Sequence, residues 1–284
     1  MVADSCLKLT LVSTALSCRH GDCDSDMSDV NIVVHKDKDG HDRVFGSLHV
    51  GDDVCRLQPN ADGQEESMEC KPQWAFMEES HPHSGDEVDR RLGVTRDDAE
   101  AESSLTASRF GMKMADPNRR RLVDDNGSVI DVMVVWTIEA ECRNSGLREA
   151  CTPTESTEEN IMGLIELAVE ETNTAFARSG IPSELRLVHA YRHLEYIEPS
   201  VNTFDVAIDD LRNSGDGKLD DVHQKRELYG ADLVSMILGG GESCGIAYIG
   251  PLKWNTFSAT HYSCATGYYS FGHEIAHSTL FPVK

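Results

Sequence analysis

The residue pattern of this 284-residue chain predicts an α/β protein in two parts, a small β-rich module followed by a twisted, mostly parallel sheet with crossover helices. Three observations carry that expectation. Residues 129–136 and 231–238 are nearly continuous apolar runs, as strands buried on both faces would be. Residues 158–179 put Ile161, Leu164, Ile165, Ala168, Thr172, Ala175 and Phe176 on one face at helical spacing, and Gly180 ends the helix. Upstream, short β-prone runs alternate with Asp-Gly turns.

Taken in order, residues 1–26 form an N-terminal segment without a clear pattern. Residues 27–77 read as the β-rich module, with runs at 30–34, 44–50 and 54–57. Gly40, Gly51–Asp53 and Asn60–Gly63 supply the hairpin turns. Residues 78–127 lose apolar periodicity and read as an acidic linker. Within it Arg119, Arg120 and Arg121 form an accessible basic triplet, either a processing site or a solvated cluster. The second domain spans 128–284. After the long helix, residues 185–191 alternate as a strand, and 205–211 and 220–229 read as shorter amphipathic helices. Residues 246–249 and 256–263 are expected as edge strands.

A formal net charge of −23 argues against nucleic acid, whose phosphates require Lys and Arg to displace counterions, and against an anionic membrane surface. No run reaches the ~18 apolar residues of a membrane span. Residues 7–16 are mildly apolar, but Lys8 interrupts them, so they make a poor signal-peptide core. There are nine cysteines. Cys142/Cys151 and Cys244/Cys264 are spaced as loop-closing disulfides or are buried thiols; disulfides would imply an oxidising compartment.

The chemistry concentrates at Tyr268-Tyr-Ser-Phe-Gly-His273-Glu274-Ile-Ala-His277. His273 and His277 are four apart, so on a helix both imidazoles leave one face and can share a metal. Glu274 adjoins them, where a carboxylate can take a proton from a metal-bound water and pass it to a leaving amine. HExxH on a helix is thus a complete proposal for Zn2+ hydrolysis, with His273 and His277 as ligands and Glu274 as general base.

From about Val129 to His277 the chain resembles the reprolysin-like metzincins, in particular peptidyl-Asp metalloendopeptidases. The matching pieces begin at Asp131-Val-Met-Val-Val, Glu166-Leu-Ala-Val-Glu-Glu-Thr-Asn173, Tyr229-Gly-Ala-Asp-Leu-Val-Ser235 and Cys244-Gly-Ile-Ala-Tyr248. The fifth is the run from Ser263 to His277. The resemblance implies a metzincin upper subdomain and a cleft in which protein or peptide substrates lie along an edge strand. It implies a secreted, zymogen-derived zinc endopeptidase, with residues 27–121 as prodomain. The family motif continues HExxHxxGxxH, whereas Leu280 and Val283 occupy those two positions here. The reading is therefore of a chain truncated after HExxH, without the lower subdomain and with weakened zinc binding. His223 and His261 are third-ligand candidates by residue type, and Cys55 or Cys70 by a cysteine-switch role, against a Cys55–Cys70 disulfide or free thiols. The alternative to a protease is a non-catalytic protein whose β-rich module binds a partner.

Overall fold

A computed structural model describes residues 11–12, 15–16, 27–60, 66–78, 83–84, 129–147, 151–250 and 255–279. The basic triplet at 119–121, most of the linker, and Leu280 and Val283 lie outside them.

The N-terminal module is a four-stranded antiparallel meander: β1 (Met27–Lys36), β2 (Asp42–Val50), β3 (Asp53–Pro59) and β4 (Glu66–Pro72), in that order. Asp37 makes the first turn, accepting from the N–H groups of Asp39 and His41, while Gly40 adopts φ 82°. Cys55 and Cys70 face each other across β3 and β4 and form a disulfide, so neither thiol is available to a metal.

The second sheet contains β5 (Val129–Thr137), β6 (Glu184–His193), β7 (Leu233–Leu238), β8 (Gly245–Ile249) and β9 (Phe257–His261). Its order from one edge is the two-residue strand His83–Ser84, then β8, β9, β7, β5 and β6. β9, β7, β5 and β6 run parallel, and β8 is antiparallel to β9. The expected mostly parallel sheet is present, with two corrections. β8 is not the outermost strand, because His83–Ser84 pairs with its Tyr248 and Ile249. Residues 257–261 are interior, between β8 and β7, and all five are buried. Their small polar side chains suggest an edge, but Ser258 satisfies its hydroxyl on Ser235 of β7 at 3.0 Å, which makes an interior position tolerable.

Helices cover both faces. α1 (Ile138–Asn144) has no counterpart in the sequence pattern, being short and following β5 without a break. α2 (Glu155–Arg178) starts three residues earlier than its apolar periodicity indicates, because Thr154 and Thr157 form a reciprocal capping box. α3 (Thr203–Arg212) and α4 (Asp220–Tyr229) cover the opposite face, and Gly230 stops α4 at φ 69°. α5 (Ser270–Thr279) lies beside α2. One apolar cluster joins the sheet to α3 and α4 through Phe204, Ile208, Leu211 and Val222. The other joins it to α2 and α5 through Ile161, Leu164, Ile165, Phe271 and Ile275. The antiparallel sheet lies on the outer side of α2, where an added Cβ at Gly163 would come within 2.1 Å of the Phe45 ring.

Candidate metal centre

α5 brings the two predicted ligands together. Nε2 of His277 and Nε2 of His273 are 3.0 Å apart, and the rings stand at 89° to each other. Two imidazoles on one tetrahedral zinc, at Zn–N of ~2.0–2.1 Å, would hold their nitrogens about 3.3 Å apart. The observed separation and the solvent-facing position of His273 therefore suit one shared ion. Among the described residues no group of three or more His, Cys, Asp or Glu side chains could hold a metal.

Glu274 lies on the buried side of the same turn and is 1% exposed. It packs under the start of β8, against the Cα of Gly245. The C-terminal half of α5 is tied to the same strand: Ser278 Oγ donates to Tyr248 O at 3.3 Å, and Gly250 N donates to His277 O at 3.1 Å. The helix is thus fixed beneath the sheet edge, with its imidazoles turned outward.

The loop entering α5 is held from two sides. From below, the buried Glu171 carboxylate of α2 accepts from Gly267 N–H at 3.0 and 2.9 Å. From above, His49 Nε2 of β2 donates to Gly267 O at 2.7 Å, and Arg56 Nη2 of β3 donates to Ser263 O at 2.8 Å. Phe76 stacks on Tyr268 with centroids 4.8 Å apart. Tyr269 takes φ 64°, a left-handed conformation costly for a bulky residue, and its carbonyl accepts from His273 N at 2.9 Å. Cys244 and Cys264 form a disulfide that joins β8 to this loop, and Cys142 of α1 forms another with Cys151.

The other histidine candidates serve the fold. His261 Nε2 donates to Gly239 O at 2.9 Å, and its Nδ1 accepts from Ser263 N at 3.2 Å. Burial lowers its pKa to about 4, so the ring is neutral and both nitrogens are engaged. His223 Nε2 donates to Asn213 O at 3.1 Å. A broad groove among the described residues is elsewhere. It lies between β3–β4 and α1, lined by Arg56, Phe76, Arg143 and Tyr196, and it contains none of His273, Glu274 or His277. Sequence reasoning did not find Glu171, His49, Arg56 or Gly245, each of which acts on a partner distant along the chain.

A buried glutamate and two convergent imidazoles on one helix below a sheet edge invite comparison with metallopeptidases, and the proteins this chain is similar to are of that kind. Residues 162–279 match the metallo-peptidase family M12B reprolysin-like model. A peptidyl-Asp metalloendopeptidase of Xanthomonas campestris pv. campestris is 30% identical over 242 residues, 83% of this chain and 48% of that protein. The peptidyl-Asp metalloendopeptidase of Stenotrophomonas maltophilia strain R551-3 is 36% identical over 119 residues, 42% of this chain and 28% of that protein. The chain spans about half the length of the first relative, and that alignment is long enough to reach into the residues before β5. A solved chain titled "Structure of a chaperone-substrate complex" aligns at TM-score 0.39 and 14% identity, over 82% of this chain and 27% of that one.

Proposed function

We propose that this protein is a zinc metalloendopeptidase in which His273 and His277 hold the ion and Glu274 is the general base. The observation that carries this reading is the 3.0 Å convergence of two Nε2 atoms on the helix that bears Glu274. Zinc, when bound, supplies a Lewis acid that lowers the pKa of a water toward neutrality. Glu274 takes a proton from the attacking water and gives it to the amine as the peptide bond breaks. Its burial under β8 keeps bulk water from solvating the carboxylate, which strengthens its pull on that proton. The β8 edge offers main-chain groups to a peptide substrate lying in the cleft.

The zymogen reading extends this. His83–Ser84 pairs with Tyr248 and Ile249, so residues preceding the domain already use part of the β8 edge. Removal of residues 27–121 by cleavage near Arg119–Arg121 would free that edge for substrate. Three disulfides among the described residues support a secreted location, since such bonds persist in oxidising compartments.

One comparison tests these roles together. A form that carries a third zinc ligand should hydrolyse casein and, after processing, begin between Leu122 and Ser128. Glu274→Gln should keep its metal but lose about 10²–10⁴-fold in rate. Activity of that variant within about tenfold of its parent would remove Glu274 from the reaction, and a mature N-terminus inside β1–β4 would remove the zymogen reading.

A further inference from the structure

Gly245 opens β8, and an ideal Cβ built there would fall 2.5 Å from Glu274 Oε1, 2.7 Å from its Cγ and 2.9 Å from its Cδ. The conflict involves most of the side chain and not only its tip. Rotating the carboxyl group alone would not relieve it. Glu274 is also buried, so it has no open solvent into which to swing.

The strand cannot retreat instead. Gly245 is in register with Thr260 of the interior strand β9. Cys244, the residue before it, is bonded to Cys264, and its carbonyl accepts from His261 N at 2.8 Å. On the other side, α5 is held by Ser278 on Tyr248 O and by Glu171 through the loop that leads into the helix. Both backbones are fixed, and the space between them is one side chain wide. The lack of a side chain at 245 is what admits Glu274. The glycine is not explained by backbone conformation, since its φ is not among the positive values.

We infer that Gly245 is a positioning residue for Glu274, leaving the room under the start of β8 in which its carboxylate lies. A methyl group at 245 would move the carboxylate without touching either histidine. This rests on the general-base role proposed above. A misplacement of about 1 Å in a reacting group can cost ~10²-fold in rate.

The test is a double-mutant cycle between Gly245→Ala and Glu274→Asp, introduced in the full chain and read after processing as kcat, KM, zinc content and Tm. Gly245→Ala alone should lower kcat by about 10²-fold, with KM and zinc content within about threefold of wild type. Glu274→Asp shortens the side chain by one methylene and removes the closest of the three contacts, the one at Oε1. It should impair the wild type but cost little, or restore rate, in the Gly245→Ala background. That non-additivity is the signature of two groups in contact. Additive losses in kcat would overturn the inference.

Should Gly245→Ala unfold the protein, Gly245→Ala/Glu274→Ala provides a second reading independent of catalysis. With Glu274 cut back, the methyl group at 245 should be accepted at nearly the Tm of Glu274→Ala alone. An equal Tm loss with and without the Glu274 side chain would show that the glycine serves the strand and overturn the inference. A form that carries a third zinc ligand yet hydrolyses nothing would overturn the proposed function, whereas coupled Tm values would still establish the contact.

Discussion

The two sheets are built on opposite principles. The mixed sheet β5–β9 is buried on both faces, and every residue of β7 and β9 is buried. The antiparallel sheet β1–β4 buries few large side chains, chiefly Phe45, Leu48 and Val54, and every residue of β4 from Glu66 to Lys71 is exposed. Among the described residues it has no second layer of its own, and it uses α2 and the loop before α5 as its floor. Much of that contact is polar: His35 to Glu166 at 3.0 Å, Lys38 to Glu155, and Asn160 Nδ2 to Asn60 O at 3.3 Å. Ion pairs near the surface contribute little, because water screens the charges and ordering long side chains costs entropy. One sheet is therefore a core, and the other is a cover whose seating depends on the first. The cover nonetheless reaches the chemistry, since His49 and Arg56 hold the loop that delivers His273.

This contrast predicts a global response in one region and a local one in the other. The larger effect belongs to the mixed sheet through His261 at the end of β9. Its folded pKa is lowered by burial to about 4, against an unfolded value of ~6.5. The stabilisation is therefore fully present above about pH 6.5. It is lost as pH falls from ~6.5 toward about 4, because the unfolded chain binds a proton that the folded one refuses. Integrated over that window the loss is about 3 kcal/mol. Wild type should lose more stability than His261→Asn between those pH values, and the whole chain should unfold in a single transition. Parallel pH curves for the two proteins would remove His261 from the account.

The smaller effect belongs to the cover. Alanine at 163 would overlap the Phe45 ring, while its helix propensity favours α2 by about 1 kcal/mol. Overpacking of this kind costs ~1–3 kcal/mol, so the net effect is a modest loss. Gly163→Ala should open residues 27–60 to limited proteolysis and leave the mixed sheet protected. Adding Phe45→Leu should restore protection. If Gly163→Ala lowers protection equally in both sheets, the division into core and cover is wrong.

Legibility in the sequence followed the same division. The core strands announced themselves as apolar runs, because burial on both faces leaves no alternative composition. The HExxH spacing put both imidazoles and the glutamate on one helix from local sequence alone, and α5 carries all three. What escaped was long-range or short. The strand at 257–261 looked like an edge because Ser258 and Thr260 are polar, and only their cross-strand and buried neighbours make them interior. α1 is seven residues long and carries too little periodicity to read. The hold of Glu171, His49 and Arg56 on the loop joins positions about 100 to 220 residues apart, which no local pattern records. Gly245 sat inside a recognised family segment, but its reason lies in the side chain opposite it.

The central claim is that one metal ion is shared by the two imidazoles of α5. The direct measurement is zinc content by inductively coupled plasma mass spectrometry after equilibration with zinc and gel filtration. It compares wild type with His273→Ala, His277→Ala and the double variant. Zinc in the wild type should approach one per chain at saturating metal, fall in each single variant, and not exceed background in the double variant. Their circular dichroism should remain alike, because His273 is exposed and His277 only partly buried. Stoichiometric zinc in the double variant would contradict the claim and move the metal away from α5.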